Sequence, residues 1–126
     1  SDYLPHNYTH NCVVYTGTHD NDTVMGWYDT LKGADKKLCD DYLRLKNAAG
    51  EPIPREQLPW EFVRAAMSSV ADMAIIPMQD YLGLGSEARI NIPSTLGINW
   101  KWRMGNGDFT KELAGRIRSM TKLYGR

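Results

Sequence analysis

The sequence predicts an α/β fold, and more narrowly a portion of a (β/α)8 barrel. Three observations carry that reading. Two short runs, Cys12-Val13-Val14-Tyr15-Thr16 and Met73-Ala74-Ile75-Ile76-Pro77-Met78, are apolar on both faces, as strands of a parallel sheet are. Helical periodicity fills the interval between them, so the runs are expected to pair in parallel across a helical crossover. Two strands leave both sheet edges open, whereas a closed barrel needs eight strands in roughly 250 residues. The 126 residues are therefore expected to form one unit, 1–126, of about two parallel strands with flanking helices.

Residues 1–11 are polar and aromatic, interrupted by Pro5 and Asn7, and read as irregular. After the first strand, Gly17-Thr18-His19-Asp20-Asn21-Asp22 forms a polar loop. Asp22 or Thr23 then N-caps a helix running to about Lys32, with Val24, Trp27, Tyr28 and Leu31 along one side and Gly33 as its stop. A second helix is expected from Asp35 to Asn47 on the spacing of Leu38, Tyr42 and Leu45, and residues 50–59, with three prolines, form a loop. Pro59 suits the first turn of a third helix, whose apolar stripe is Val63, Ala66, Met67 and Val70. The second strand should lose pairing near Pro77, which has no N–H for a ladder. Residues 79–106 read as a glycine-rich irregular segment. A last helix follows over about 110–124, with Leu113, Ile117, Met120 and Tyr124 inward.

Composition removes several function classes. Fifteen basic residues balance fifteen acidic ones, so nothing favours nucleic acid or an anionic membrane. No apolar run approaches the ~20 residues of a membrane span, and Ser1-Asp2-Tyr3-Leu4-Pro5 lacks the features of a signal peptide. Cys12 leads a strand and Cys39 lies in a helical pattern, so both are expected as reduced thiols of a cytoplasmic protein.

Chemistry concentrates in two places. His19-Asp20 follows a buried strand, where α/β enzymes bind ligands. A carboxylate there can grip sugar hydroxyls or stabilise a positive transition state, with the histidine donating beside it. The plainer alternative is helix capping; spacing favours the cap for Asp22 and the site for Asp20. The second place is Met78-Gln79-Asp80-Tyr81-Leu82-Gly83-Leu84-Gly85-Ser86-Glu87-Ala88-Arg89, continuing to Asn91, Asn99, Trp100, Trp102 and Arg103. It also begins at a strand's end, hence on the same face as Asp20. It reads either as a sugar-binding loop or as a compact loop whose indoles cover the barrel. The alternation Trp100-Lys101-Trp102-Arg103 resembles a strand with both indoles on one face, which favours covering for at least one of them. Gly83-Leu84-Gly85 lacks the third glycine and the helix of a nucleotide fingerprint. His6, His10 and Cys12 lack the helical spacing that would give one ligand face, so no metal site is expected. No serine elbow is present, and Cys39 has no evident base.

Taken together, Tyr15-Thr16-Gly17-Thr18-His19-Asp20-Asn21-Asp22-Thr23 closely resembles the His-Asp motif of the amylomaltases, the 4-α-glucanotransferases of the α-amylase clan. Arg64 to Val70, Gln79 to Asn91 with Pro93, Asn99-Trp100-x-Trp102-Arg103 and Phe109 to Arg126 resemble the same family in co-linear order. The resemblance implies the C-terminal part of a retaining transglycosylase on a (β/α)8 barrel, with roughly strands seven and eight. It needs no cofactor and takes α-1,4-glucans such as malto-oligosaccharides, starch or glycogen. In that family an aspartate nucleophile forms a β-glycosyl-enzyme, a glutamate serves as acid then base, and a third carboxylate binds the 2- and 3-hydroxyls. Asp20 matches that third carboxylate, His19 the histidine on the same hydroxyls, and Asn91 a sugar-contacting asparagine. No residue here matches the nucleophile or the general acid, so the resemblance implies that the rest of the barrel supplies them and that this chain alone is inactive. Departures are Val24 and Met25, Ile90 where methionine is common, and Ser94 where glycine is common. Two alternatives remain open: a non-catalytic carbohydrate-binding or scaffold unit, and a hydrolase of the same clan.

Overall fold

The computed structural model describes residues 1–126. Its two strands, β1 (Val13–Tyr15) and β2 (Met73–Ile75), pair in parallel with Val13 opposite Met73, Val14 opposite Ala74 and Tyr15 opposite Ile75. Five helices accompany them: α1 (Val24–Thr30), α2 (Gly33–Tyr42), α3 (Leu58–Met67), α4 (Met78–Tyr81) and α5 (Lys111–Leu123). Single 3-10 turns lie at Pro5–Asn7, Arg55–Gln57 and Ser86–Ala88. The α/β class and the parallel pair are as expected from the sequence.

Side chains alternate across a strand, so the pair has two faces. Val14 is buried against Ala66 and Ala71, beneath α3. Val13, Tyr15, Met73 and Ile75 stand on the other face, 41–54% exposed. Both strands were expected to be covered on both sides; this chain covers only one.

The helix α3 is the element against which α1, α4 and α5 all pack. Pro59 sits in its first turn as expected, and Trp60, Val63, Ala66 and Met67 are buried. Val70 does not join that stripe: the helix ends at Met67, and Val70 is 46% exposed beyond it. Trp60, Val63 and Met67 meet Met120 of α5, with Leu113, Ile117 and Tyr124 against the cluster, as the spacing predicts. Thr110 caps α5 by accepting from the Leu113 N–H at 3.1 Å.

Two helix ends differ from expectation. The helix α1, capped by Thr23 through the Gly26 N–H, stops at Thr30, and Gly33 opens α2 with φ 55° instead of closing α1. Within α1, Trp27 is 46% exposed and sets its ring edge on Phe62, while Tyr28 and Leu31 pack inward. The helix α2 stops at Tyr42, five residues short of Asn47. Its end is a Schellman turn: the Arg44 N–H donates to the Asp41 carbonyl and the Leu45 N–H to the Asp40 carbonyl. Arg44 takes φ 56°, a left-handed position usually given to glycine, so the sequence carries no stop signal there. Leu45, 1% exposed, still reaches the core, though from beyond the helix, and Cys39 takes the buried place expected of Leu38.

The segment after β2 is more ordered than expected. Pro77 ends the strand and N-caps α4, and a further turn forms at Ser86–Ala88. No helix is long and apolar enough to cross a membrane.

Candidate active site

The site sits where β1 and β2 end, on two loops that cross-link each other. The first, residues 17–22, is folded on Asn21, whose Oδ1 accepts from the Thr18 N–H (2.8 Å) and Thr18 Oγ1 (3.0 Å). The Asn21 N–H returns to the Thr18 carbonyl, and this tight turn lifts His19 and Asp20 outward, each about half exposed. The second loop follows α4. Gln79, buried, fastens it from within by donating Nε2 to the Ala88 carbonyl at 3.2 Å.

All three residues expected at the site come together. Asn91 Nδ2 donates to Asp20 Oδ1 at 2.7 Å, and its own N–H donates to the His19 carbonyl at 3.1 Å. His19 Nε2 lies 3.4 Å from Asp20 Oδ2. Arg89, in the second loop and given no role by the sequence, clamps the backbone. Its Nη2 donates to the Asp20 carbonyl at 2.6 Å and its Nε to the Asn91 carbonyl at 2.9 Å.

Trp100 corrects another expectation. Its φ of 61° breaks any strand alternation with Trp102, and residues 97–104 form no strand. The indole instead packs on the His19 ring, centroids 5.1 Å apart, while remaining 56% exposed. Ser94, where the family commonly has glycine, likewise occupies a left-handed position, φ 62°.

Beneath the exposed residues lies a set of contacts that sequence spacing did not reveal. Asp80, 1% exposed, accepts from Thr16 Oγ1 at 2.5 Å and from the Val24 N–H at 2.9 Å. Burial pushes its pKa above the usual carboxylate value; the bonds from Thr16 and Val24 pull it back, and the nearby Asp22 charge adds to the rise. Asp22 is a clasp more than a cap: Ser86 Oγ donates to its Oδ2 at 2.6 Å, across from the second loop. Gly26 makes room for that pair over the first turn of α1.

Elsewhere, His6 Nδ1 lies 2.9 Å from the Tyr42 hydroxyl and Cys12 Sγ donates to the Thr9 carbonyl at 3.0 Å, so those side chains are engaged separately. Cys39 is buried, and burial, with the Asp40 charge, pushes its pKa up to about 11.

The arrangement offers an ionisable carboxylate on an open face, oriented by a neutral amide. The Arg89 guanidinium is committed to carbonyls, and the carboxylate charge is not spent on an ion pair with arginine. An ionised carboxylate has about four acceptor positions; Asn91 occupies one on Oδ1, and His19 Nε2 lies 3.4 Å from Oδ2. The others remain for hydroxyl groups, with a histidine and an indole alongside.

The family described as 4-alpha-glucanotransferase matches residues 1–109. A 4-alpha-glucanotransferase of Clostridium butyricum is 50% identical over 98% of this chain, and this chain spans 24% of that protein. The chloroplastic/amyloplastic 4-alpha-glucanotransferase DPE1 of Arabidopsis thaliana is 47% identical over 98% of the chain, which spans 21% of it. Among solved structures, the amylomaltase from Streptococcus agalactiae in complex with acarbose superposes with a TM-score of 0.89 at 34% identity. All of this chain is covered, against 24% of that one. The chain thus spans about a quarter of the length of the relatives it matches, and it belongs to the 4-alpha-glucanotransferase family.

Proposed function

We propose that this chain supplies the transition-state-binding carboxylate, Asp20, of a retaining 4-α-glucanotransferase acting on α-1,4-glucans. The observation that supports it most directly is the Asp20 carboxylate itself, exposed at the end of β1 and oriented by Asn91 at 2.7 Å. As a bound glucose ring flattens toward an oxocarbenium ion, its hydroxyls become better donors and its ring gains positive charge. A fixed acceptor anion therefore binds the transition state more tightly than the ground state. His19 and Asn91 contribute further contacts to the same vicinal hydroxyls. Asp20 is neither nucleophile nor proton donor in this scheme. Those two groups, and the acceptor side that favours a second glucan over water, belong to the rest of a (β/α)8 barrel that closes on the exposed face of β1 and β2. The chain is its C-terminal part, strands seven and eight. We place the enzyme in the cytoplasm, in keeping with two unpaired cysteines.

The test is Asp20→Asn in the full-length enzyme, assayed by disproportionation of maltotriose. Asparagine keeps the shape and removes the charge, so kcat is expected to fall on the order of 10²-fold or more. Activity within a few-fold of wild type would remove Asp20 from the mechanism. Products also separate the chemistries: glucose with longer oligomers means transfer, whereas maltose and glucose alone mean hydrolysis.

A further inference from the structure

We propose that Asp80 is a positioning residue for Asp20, holding in place both ends of the loop that carries it. The proposal rests on the role of Asp20 given above. Thr16 is the last residue before that loop and Val24 the first residue of α1 after it, and both donate to the one Asp80 carboxyl group, at 2.5 and 2.9 Å. Residues 17–23 are thereby anchored at their two ends to a single buried side chain, 64 residues from Thr16 and 56 from Val24.

The chemistry of the anchor is specific. A carboxylate this deeply buried is costly unless its oxygens are bonded, and an apolar side chain of similar volume would satisfy packing without that cost. What an apolar residue cannot do is accept from the first N–H of α1 and from the hydroxyl at the end of β1 together. Asp80 belongs to α4, directly after β2, so it also fixes the spacing between the ends of the two strands. The second loop then completes the frame from above, through Asn91 on Asp20 and Ser86 on Asp22. Loss of the anchor leaves the Asp20 loop tied only at its exposed side. A displacement of about 1 Å at a transition-state contact costs on the order of 10²-fold in rate.

Asparagine can replace the anchor without moving it: Oδ1 accepts from Val24, Nδ2 donates to Thr16 Oγ1, and the hydroxyl turns round. Alanine cannot. In the full-length enzyme we expect Asp80→Ala to lower kcat about 100-fold per folded molecule with KM within about twofold, and Asp80→Asn to restore most of the loss. The deciding comparison is the double variant Asp20→Asn/Asp80→Ala. If Asp80 acts through Asp20, it is no slower than Asp20→Asn alone. If alanine at position 80 slows the Asp20→Asn enzyme by the factor by which it slows wild type, or if folded Asp80→Ala keeps wild-type kcat, the proposal is overturned. Should Asp80→Ala fail to fold, Thr16→Val removes one tether and the same comparison applies: slowing wild type but not Asp20→Asn supports the proposal, and any other pattern overturns it. An unslowed Asp20→Asn enzyme would instead overturn the functional reading beneath it.

Discussion

Isolating this chain from the barrel proposed to complete it is the perturbation with the largest consequence. Its accessible surface is 8484 Å², whereas a compact monomer of 14.3 kDa is expected to show about 6,800 Å². The excess, about 1,700 Å² by that scaling, has identifiable sources. One is the uncovered face of Val13, Tyr15, Met73 and Ile75; another is an open groove of about 650 Å³ lined by residues including Tyr15, Trp27, Leu38 and Phe62. If half the excess is apolar, covering it contributes on the order of 20 kcal/mol before entropic costs. That exceeds the ~5–15 kcal/mol net stability of an ordinary domain. Expressed alone, the chain is therefore expected to bind a hydrophobic dye, to show weak near-UV dichroism despite four tryptophans and seven tyrosines, and to unfold without a sharp transition. It is also expected to transfer no glycosyl groups. Equilibrium denaturation with sedimentation decides the matter. A monomer with a steep two-state transition, or turnover by a pure preparation, would refute the claim that this surface and this site are completed by the rest of a barrel.

Two further predictions concern single residues. A Cβ on Gly26 would lie within 2.6 Å of both Asp22 carboxylate oxygens and closer still to Ser86 Oγ. Gly26→Ala in the full-length enzyme gains ~1 kcal/mol of helix propensity but loses a charge-assisted bond of ~1.5–3 kcal/mol, so a net loss of roughly 1 kcal/mol with lowered kcat is expected in denaturant melts and assays. A more stable variant of unchanged kcat would show that the clasp is dispensable. Cys39, with its pKa pushed up to about 11, should resist alkylation at pH 8 in the folded protein while Cys12 reacts; peptide mapping that finds equal labelling would contradict its burial. The same shift means stability falls as pH rises from the ordinary thiol value of 9.0 toward about 11, because the unfolded chain releases that proton first.

What the sequence revealed and what it hid divide along a physical line. Apolar period placed β1, β2, α3 and α5, because those elements are specified by which side chains must leave water. It failed at Arg44, Ser94 and Trp100, three non-glycine residues in left-handed backbone, since nothing in their identity announces that conformation. It also failed at Pro77, which stopped the strand as expected but then started a helix. The site followed the same division. That His19-Asp20 and the second loop share a face followed from two parallel strands ending together. That Asn91 meets Asp20 and Ser86 meets Asp22, 71 and 64 residues apart, rests on single hydrogen bonds between irregular segments, and those leave no period to read.

The way the two loops are joined bears on how such a site can work. The side-chain hydrogen bonds between them run through groups that are neutral or already committed: the amide of Asn91, the hydroxyl of Ser86, the guanidinium of Arg89 on carbonyl oxygens. None places a cation from Lys or Arg on the Asp20 carboxylate. A salt bridge there would hold the loop as firmly, but it would also draw down the negative charge on which the proposed role of Asp20 depends. The ion pairs made by Arg and Lys lie away from the site, with Arg55 on Asp29 and Lys36 on Asp40 among the helices. At the site, the Asn91 amide and the Ser86 hydroxyl bond the carboxylates, and the Arg89 guanidinium bonds only carbonyl oxygens.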